Sequence, residues 1–170
     1  MTRPIDSVLA LGDLIVNFIV LAAYYVGVIF GSVASIAPSI VADDFNFDTI
    51  AVKDASLNVW IAKSDTEQRN GLSFFEMHQL ESRNIDGMLF VYEDSSVANF
   101  WMRGMQFDLD FVWIKSGEVV KIDENILSPA NNNGDTMTIS SDPYEVGAVL
   151  ELPAGQVDTL DIKVGDSVEF

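Results

Sequence analysis

The chain has 170 residues, with 26 Asp or Glu against 9 Lys or Arg, a formal net charge of -17, one His and no Cys. The missing cysteines exclude disulfides, thiolate metal ligands, a Cys nucleophile and Cys-linked lipid, and a single His excludes a multi-His metal centre. The acidic excess argues against a nucleic-acid partner, because phosphates need Lys and Arg to displace their counterions.

Hydrophobic residues nevertheless make up 49% of the chain, so charge and hydrophobicity must occupy different segments. No charged residue occurs over the 29 positions from Leu14 to Ala42, and about 20 apolar residues are enough for a helix to cross the hydrocarbon. This predicts a short cytoplasmic tail (1–13), a transmembrane helix or signal anchor (14–37) ended by Pro38, and an acidic linker (38–48). Ser32-Val33-Ala34 also offers small residues for signal cleavage, so secretion after cleavage near Ala34 is the alternative. Arg3 precedes the span and the next base after it is Lys53. The positive-inside rule then places the tail in the cytoplasm and the C-terminal domain outside it, with the membrane as partner through the N-terminal helix.

From Asp43 onward the chain carries 24 acids and 8 bases, a formal -16 that reads as a solvated surface. One β-rich domain is expected over 49–170. Leu57 to Ala62 has strand-forming residues. Ser64 with Glu67 three positions on is a capping box, which predicts a helix to Asn70 stopped by Gly71. Gly87 to Tyr92 is a near-continuous apolar run, the pattern of a strand covered on both faces. Asn99 to Arg103 and Leu109 to Lys115 read as strands, and Ser116-Gly117 turns the second into Glu118 to Ile122. Ser128 to Asp135 is a loop. Met137 to Ile139 and Ala148 to Leu152 are short strands, Gln156 to Leu160 a brief helix, and Gly165-Asp166 a turn into Ser167 to Phe170. The fold class is mainly β: a compact antiparallel jelly-roll-like sandwich or barrel with one or two short helices.

The ordered set Arg69-x-Gly71-Leu72, Gly87-Met88-Leu89-Phe90-Val91, Phe100-Trp101-Met102-Arg103, Leu109-Asp110, Val149-Leu150-Glu151-Leu152-Pro153-Ala154-Gly155 and Gly165-Asp166 resembles the uncharacterised prokaryotic family catalogued as domain of unknown function 192 (UPF 0127 type). The resemblance covers about Asn58 to Phe170. It implies a compact, mostly β, jelly-roll-like fold, often preceded by a signal or membrane segment, and it carries over no catalytic residue. Two positions depart from the family pattern: Ser73 stands where Met is usual, and Asp108 where Pro is usual.

The candidate ligand-binding residues are Trp101, Arg103, Asp108, Asp110, Arg69 and Glu151. Strand alternation puts Asp108 and Asp110 on one face, with Leu109, Phe111 and Trp113 on the other. Arg103 is then placed to meet a carboxylate in a fork-shaped pair. An aromatic ring beside Arg and Asp also suits a sugar, the ring stacking while polar groups orient hydroxyls. The plainer reading is a buried pair of Arg103 with one of these two carboxylates, fixing a hairpin, with Trp101 in the core. For Arg69 it is a pair with Glu67, Asp65 or a strand carboxylate. Asp110 and Glu151 are the candidate pair for acid/base hydrolysis. Asn131 to Asp135, with Asp123 and Glu124, offers oxygen ligands without the alternating calcium-loop spacing. No metal site and no cofactor are assigned, and His78 is given no role. The sequence favours a non-enzymatic binding or accessory module for a carbohydrate or cell-envelope component. A carboxylate-dependent hydrolase of envelope glycans and a structural partner-docking domain are the alternatives.

Overall fold

The structure, a computed structural model, describes residues 46–170. The expected tail, membrane helix and first part of the linker lie outside the described residues. Among these, the element order is β1 (Asn46–Val52), β2 (Ala55–Ala62), α1 (Asp65–Asn70), α2 (Met77–Glu81), β3 (Gly87–Ser96), β4 (Asn99–Trp101), β5 (Leu109–Lys115), β6 (Glu118–Ile126), β7 (Thr138–Ser140), β8 (Val146–Pro153), α3 (Gln156–Thr159) and β9 (Val168–Glu169). The protein is mainly β with a few short helices.

Local chemistry accounts for several boundaries. The Ser64 hydroxyl accepts from the Glu67 amide at 3.3 Å, and the Glu67 carboxylate accepts from the Ser64 amide at 2.8 Å, so α1 starts on a complete capping box. Ser116 and Gly117 both have positive φ (53° and 76°). That is the two-residue turn whose twist matches paired strands, and it joins β5 to β6. Two elements differ from expectation. β1 begins at Asn46, inside the expected linker, because residues 46–48 already pair with Ile61, Trp60 and Val59 of β2. α2 forms where no helix is expected, with Glu76 and Gln79 supplying its capping box.

Seven strands form one sheet in the order β6-β5-β8-β3-β2-β1-β9, and β4 pairs with β7 in a separate ribbon. The sheet is not wholly antiparallel as expected. β2 and β3 run parallel, Val59 opposite Gly87 and Ala62 opposite Phe90. Their connection carries both α1 and α2, which gives the length that a crossover between parallel strands requires. Nor are there two stacked sheets of similar size. The large sheet curls until its edges meet: Ser167, just before β9, bridges Glu118 of β6, while β9 itself pairs with Ala51 and Val52 of β1. The Val119 amide donates to Asp166 O at 2.9 Å and the Val168 amide to Gly117 O at 2.8 Å. The C-terminal segment is thus the seam of the curl.

Inside it lies a core fed by nearly every strand, including Ile50, Val59, Leu89, Val112, Val119, Leu150 and Val168, with Val157 and Ile162 closing one end. Each such side chain, fully buried, contributes about 1.5–3 kcal/mol. The opposite face of the sheet is also apolar. Phe90 of β3 and Phe111 and Trp113 of β5 meet Phe100 of β4 at ring distances of 4.9, 5.5 and 5.7 Å. That aromatic cluster pins the β4–β7 ribbon over the sheet. Period-two alternation then decides the fate of the next residues: Phe100 and Met102 turn inward, while Trp101 (54% exposed) and Arg103 turn outward.

Candidate pocket between the crossover and the β4 ribbon

Where the end of α1 approaches β4, a pocket of about 340 Å³ opens onto β3 and β8. This is at the small end of the roughly 300–1,000 Å³ typical of ligand sites. Arg69 and Asn70 of α1, Tyr92 of β3, Asn99 and Trp101 of β4, and Glu151 of β8 line it. A second compartment of about 190 Å³ shares Arg69, Asn70, Ser73 and Trp101 with the first and adds Phe74 and Arg103. Trp101 therefore forms a wall common to both.

Glu151 is the chemical centre of the deeper compartment. It sits opposite Met88 and Phe111 in the sheet register, 5% exposed, and its Oε2 has no hydrogen-bond partner. Burial pushes its carboxyl up to about 8, so at neutral pH it is mainly the protonated acid, able to donate a hydrogen bond into the pocket. Burial first, and the Glu151 charge second, raise the Tyr92 phenol beside it. The floor beneath is open because residue 71 is glycine: a Cβ there would come 3.1 Å from the Phe90 ring and 3.8 Å from Glu151 Oε2.

Asp110 and Asp108 stand elsewhere. Asp110 pairs in register with Leu152 and so faces the interior of the curl. Its carboxylate accepts from the backbone amides of Asn125 (2.8 Å), Gly155 (2.8 Å) and Val157 (3.1 Å). The expected buried Arg–Asp pair does not form among the described residues: Asp110 is fully buried on the far face, while Arg103 and Trp101 are exposed. Nor can Asp110 and Glu151 flank one scissile bond, since adjacent strands present them on opposite faces of the sheet. Asp108 accepts from the Ser128 amide at 2.7 Å and from Asn131 at 3.0 Å. Burial works to raise its carboxyl, but these donors outweigh it and hold it below the usual range. In the 128–135 loop the Asn131 amide is thus committed as a donor to Asp108, and Asp123 accepts from Trp113 Nε1 and pairs with Lys121. Among the described residues, no group of three His, Cys, Asp or Glu could hold a metal ion.

Of the six candidate residues, the structure brings together Trp101, Arg103, Arg69 and Glu151, and separates Asp108 and Asp110 from them. Arg69 forms no ion pair with Glu67 or Asp65, since the Glu67 carboxylate is taken up by Lys63 and Ser64. The residues not anticipated are Tyr92, Asn99, Phe74 and the glycine floor. The apolar run that ends in Tyr92 and the single carboxylate in Ala148-Val149-Leu150-Glu151-Leu152 were the available signals. Phe74 left none: its φ of +68° places an aromatic residue in left-handed backbone, a conformation that clusters at functional sites.

A crystal structure from Novosphingobium aromaticivorans DSM 12444, a protein of unknown function, is similar with a TM-score of 0.63 and 25% identity, over 76% of this chain and 89% of that one. A Sinorhizobium meliloti 1021 protein named as a candidate transcription regulator is similar with a TM-score of 0.62 and 26% identity, over 74% of this chain and 94% of that one. No curated protein matches the chain. The family model of DUF192, described as an uncharacterized ACR, matches residues 48–170, and the chain belongs to that family.

Proposed function

We propose that the chain is a membrane-anchored, extracytoplasmic binding module that takes a carbohydrate or cell-envelope component in the pocket beside Trp101. One observation carries this reading: a 54% exposed indole forms the wall of a pocket whose other lining mixes apolar side chains with polar ones, Arg69, Asn70, Asn99 and Glu151 among them. A large apolar plate in water is costly unless a ligand covers it, and stacking on an aromatic ring with flanking hydrogen-bonding groups is how sugar rings are held. Glu151 as a neutral acid and Asn99 supply such groups. A hydrolase acting through Asp110 and Glu151 has no support, because the two carboxyls face apart.

The anchor is the charge-free stretch within 14–37, with the domain exported, and signal cleavage near Ala34 is its variant. Nucleic acid is not the partner: 24 acids against 8 bases from Asp43 onward would repel a phosphate backbone, so the regulator name of the Sinorhizobium protein is not transferred. Glycan-array binding of the full chain in detergent tests the pocket, with Trp101→Ala expected to abolish binding while leaving the circular dichroism spectrum unchanged. Retained binding in that variant removes the assignment. Protease accessibility of a C-terminal reporter in intact cells tests the orientation, and protection overturns it.

A further inference from the structure

The domain is strongly acidic, yet the outer compartment of the pocket is not. Residues 46–170 contain three arginines, and two of them, Arg69 and Arg103, line this one compartment, which has no carboxylate in its lining. Neither arginine forms an ion pair among the described residues, whereas Lys53, Lys121 and Lys163 all do. The loop after α1 is held to the turn after β4: Ser73 Oγ donates to Arg103 O at 3.0 Å, and the Phe74 amide donates to Gly104 O at 2.8 Å. The Phe74 ring lies over Gly104, where a Cβ would come 2.9 Å from it. Two exposed aromatic residues, Phe74 (69%) and Trp101 (54%), thus border a compartment lined by both arginines.

We propose that the pocket selects an anionic sugar, with a neutral ring over Trp101 in the Glu151 compartment and the carboxylate or sulfate of the adjoining sugar between Arg69 and Arg103. This rests on the carbohydrate reading above and names its ligand class. Guanidinium groups suit such anions because their planar fork donates two parallel hydrogen bonds. The surrounding negative field would repel a polyanion bound without specific contacts, so affinity for an acidic glycan must come from this compartment.

The test is calorimetry on the full chain in detergent with matched tetrasaccharides: a neutral galactan, its galacturonic-acid counterpart and a sulfated galactan. At least one anionic tetrasaccharide is expected to bind about ten-fold tighter than the neutral one, and the one that does identifies the anion. Arg103→Gln should erase that preference and leave neutral binding unchanged, and Arg69→Gln, whose residue also lines the Glu151 compartment, should independently erase the preference. Both residues are exposed, so the fold should persist, as circular dichroism can verify. Equal affinity for neutral and anionic ligands overturns the proposal while leaving carbohydrate binding in place. So does a preference that survives both substitutions. Binding of no tetrasaccharide overturns both readings.

Discussion

The Oε2 atom of Glu151 stands beneath Gly71, 3.8 Å from where a Cβ on that residue would lie. This carboxyl is buried without a partner, and in ordinary folding energetics such a group is a liability. Its retention at the base of an opening makes sense if a ligand supplies the missing partner. The stability of the free protein should record the cost.

Glu151 holds its proton to about pH 8 when folded, against an ordinary value of 4.5. Between those limits the folded state binds one more proton than the unfolded state, so stability falls as pH rises through that window and levels off above it. The contribution is on the order of 4 kcal/mol across the window. Glu151→Gln keeps a hydrogen-bond donor and removes the titration. The variant is expected to be more stable than the parent at pH 8, with little difference at pH 4.5. Thermal melts of both proteins across this range check the slope, and identical pH profiles would contradict it.

Asp110 makes a contrasting case, since its carboxylate satisfies three backbone amides, two of them at the start of α3. Asp110→Ala leaves these donors buried without an acceptor and should cost about 3 kcal/mol or more. Asp110→Asn should also destabilise, because the amide nitrogen would face another N–H. Urea unfolding measures both. Trp101-dependent ligand binding should survive in whatever fraction remains folded.

Much of the local framework was legible in the sequence, whereas the partnerships were not. The Ser64 cap, the Gly71 stop and the Ser116-Gly117 turn depend on neighbours within a few residues, so their chemistry is written in adjacent letters. β1 was hidden because Asn46, Phe47 and Asp48 are exposed and are recruited only by pairing with β2. The parallel β2–β3 pair depends on a connection that brings distant residues together. Alternation correctly put Asp110 opposite in face to Phe111, but it could not say that the amides of Gly155 and Val157, 45 and 47 positions on, would claim the carboxylate before Arg103 could. Glu151 was visible as a lone acid in an apolar strand. Its pocket depends on Gly71 and Trp101, brought to it from other parts of the chain.

Gly87 begins β3 against the backbone of β8, and a Cβ there would fall 2.1 Å from Glu151 O. That contact is with main chain and cannot be relieved by rotating a side chain. Gly87→Ala should therefore destabilise by about 3 kcal/mol, the upper part of the range for overpacking, and differential scanning calorimetry should show a large fall in Tm. A variant that melts with the parent would place the β3–β8 approach elsewhere.

Residues 46–170 hold 22 acids and 8 bases, and few of them are paired. Such a surface repels itself, and added salt shortens the range of that repulsion, from about 10 Å at 0.1 M to about 3 Å at 1 M. Tm should rise by several degrees when potassium chloride is raised between these concentrations. A flat or falling response would mean that the acids are already neutralised within the fold.

Of the three tryptophans, Trp60 and Trp113 are 2% and 0% exposed, whereas Trp101 stands at 54%. Among these three there is therefore one water-facing indole against two buried ones. Acrylamide should quench a single emitting class, the red-shifted one, and occupancy of the pocket should shield it and move the emission to shorter wavelength. The wall of the pocket doubles as an intrinsic optical reporter, so ligands can be screened by fluorescence on the unlabelled chain.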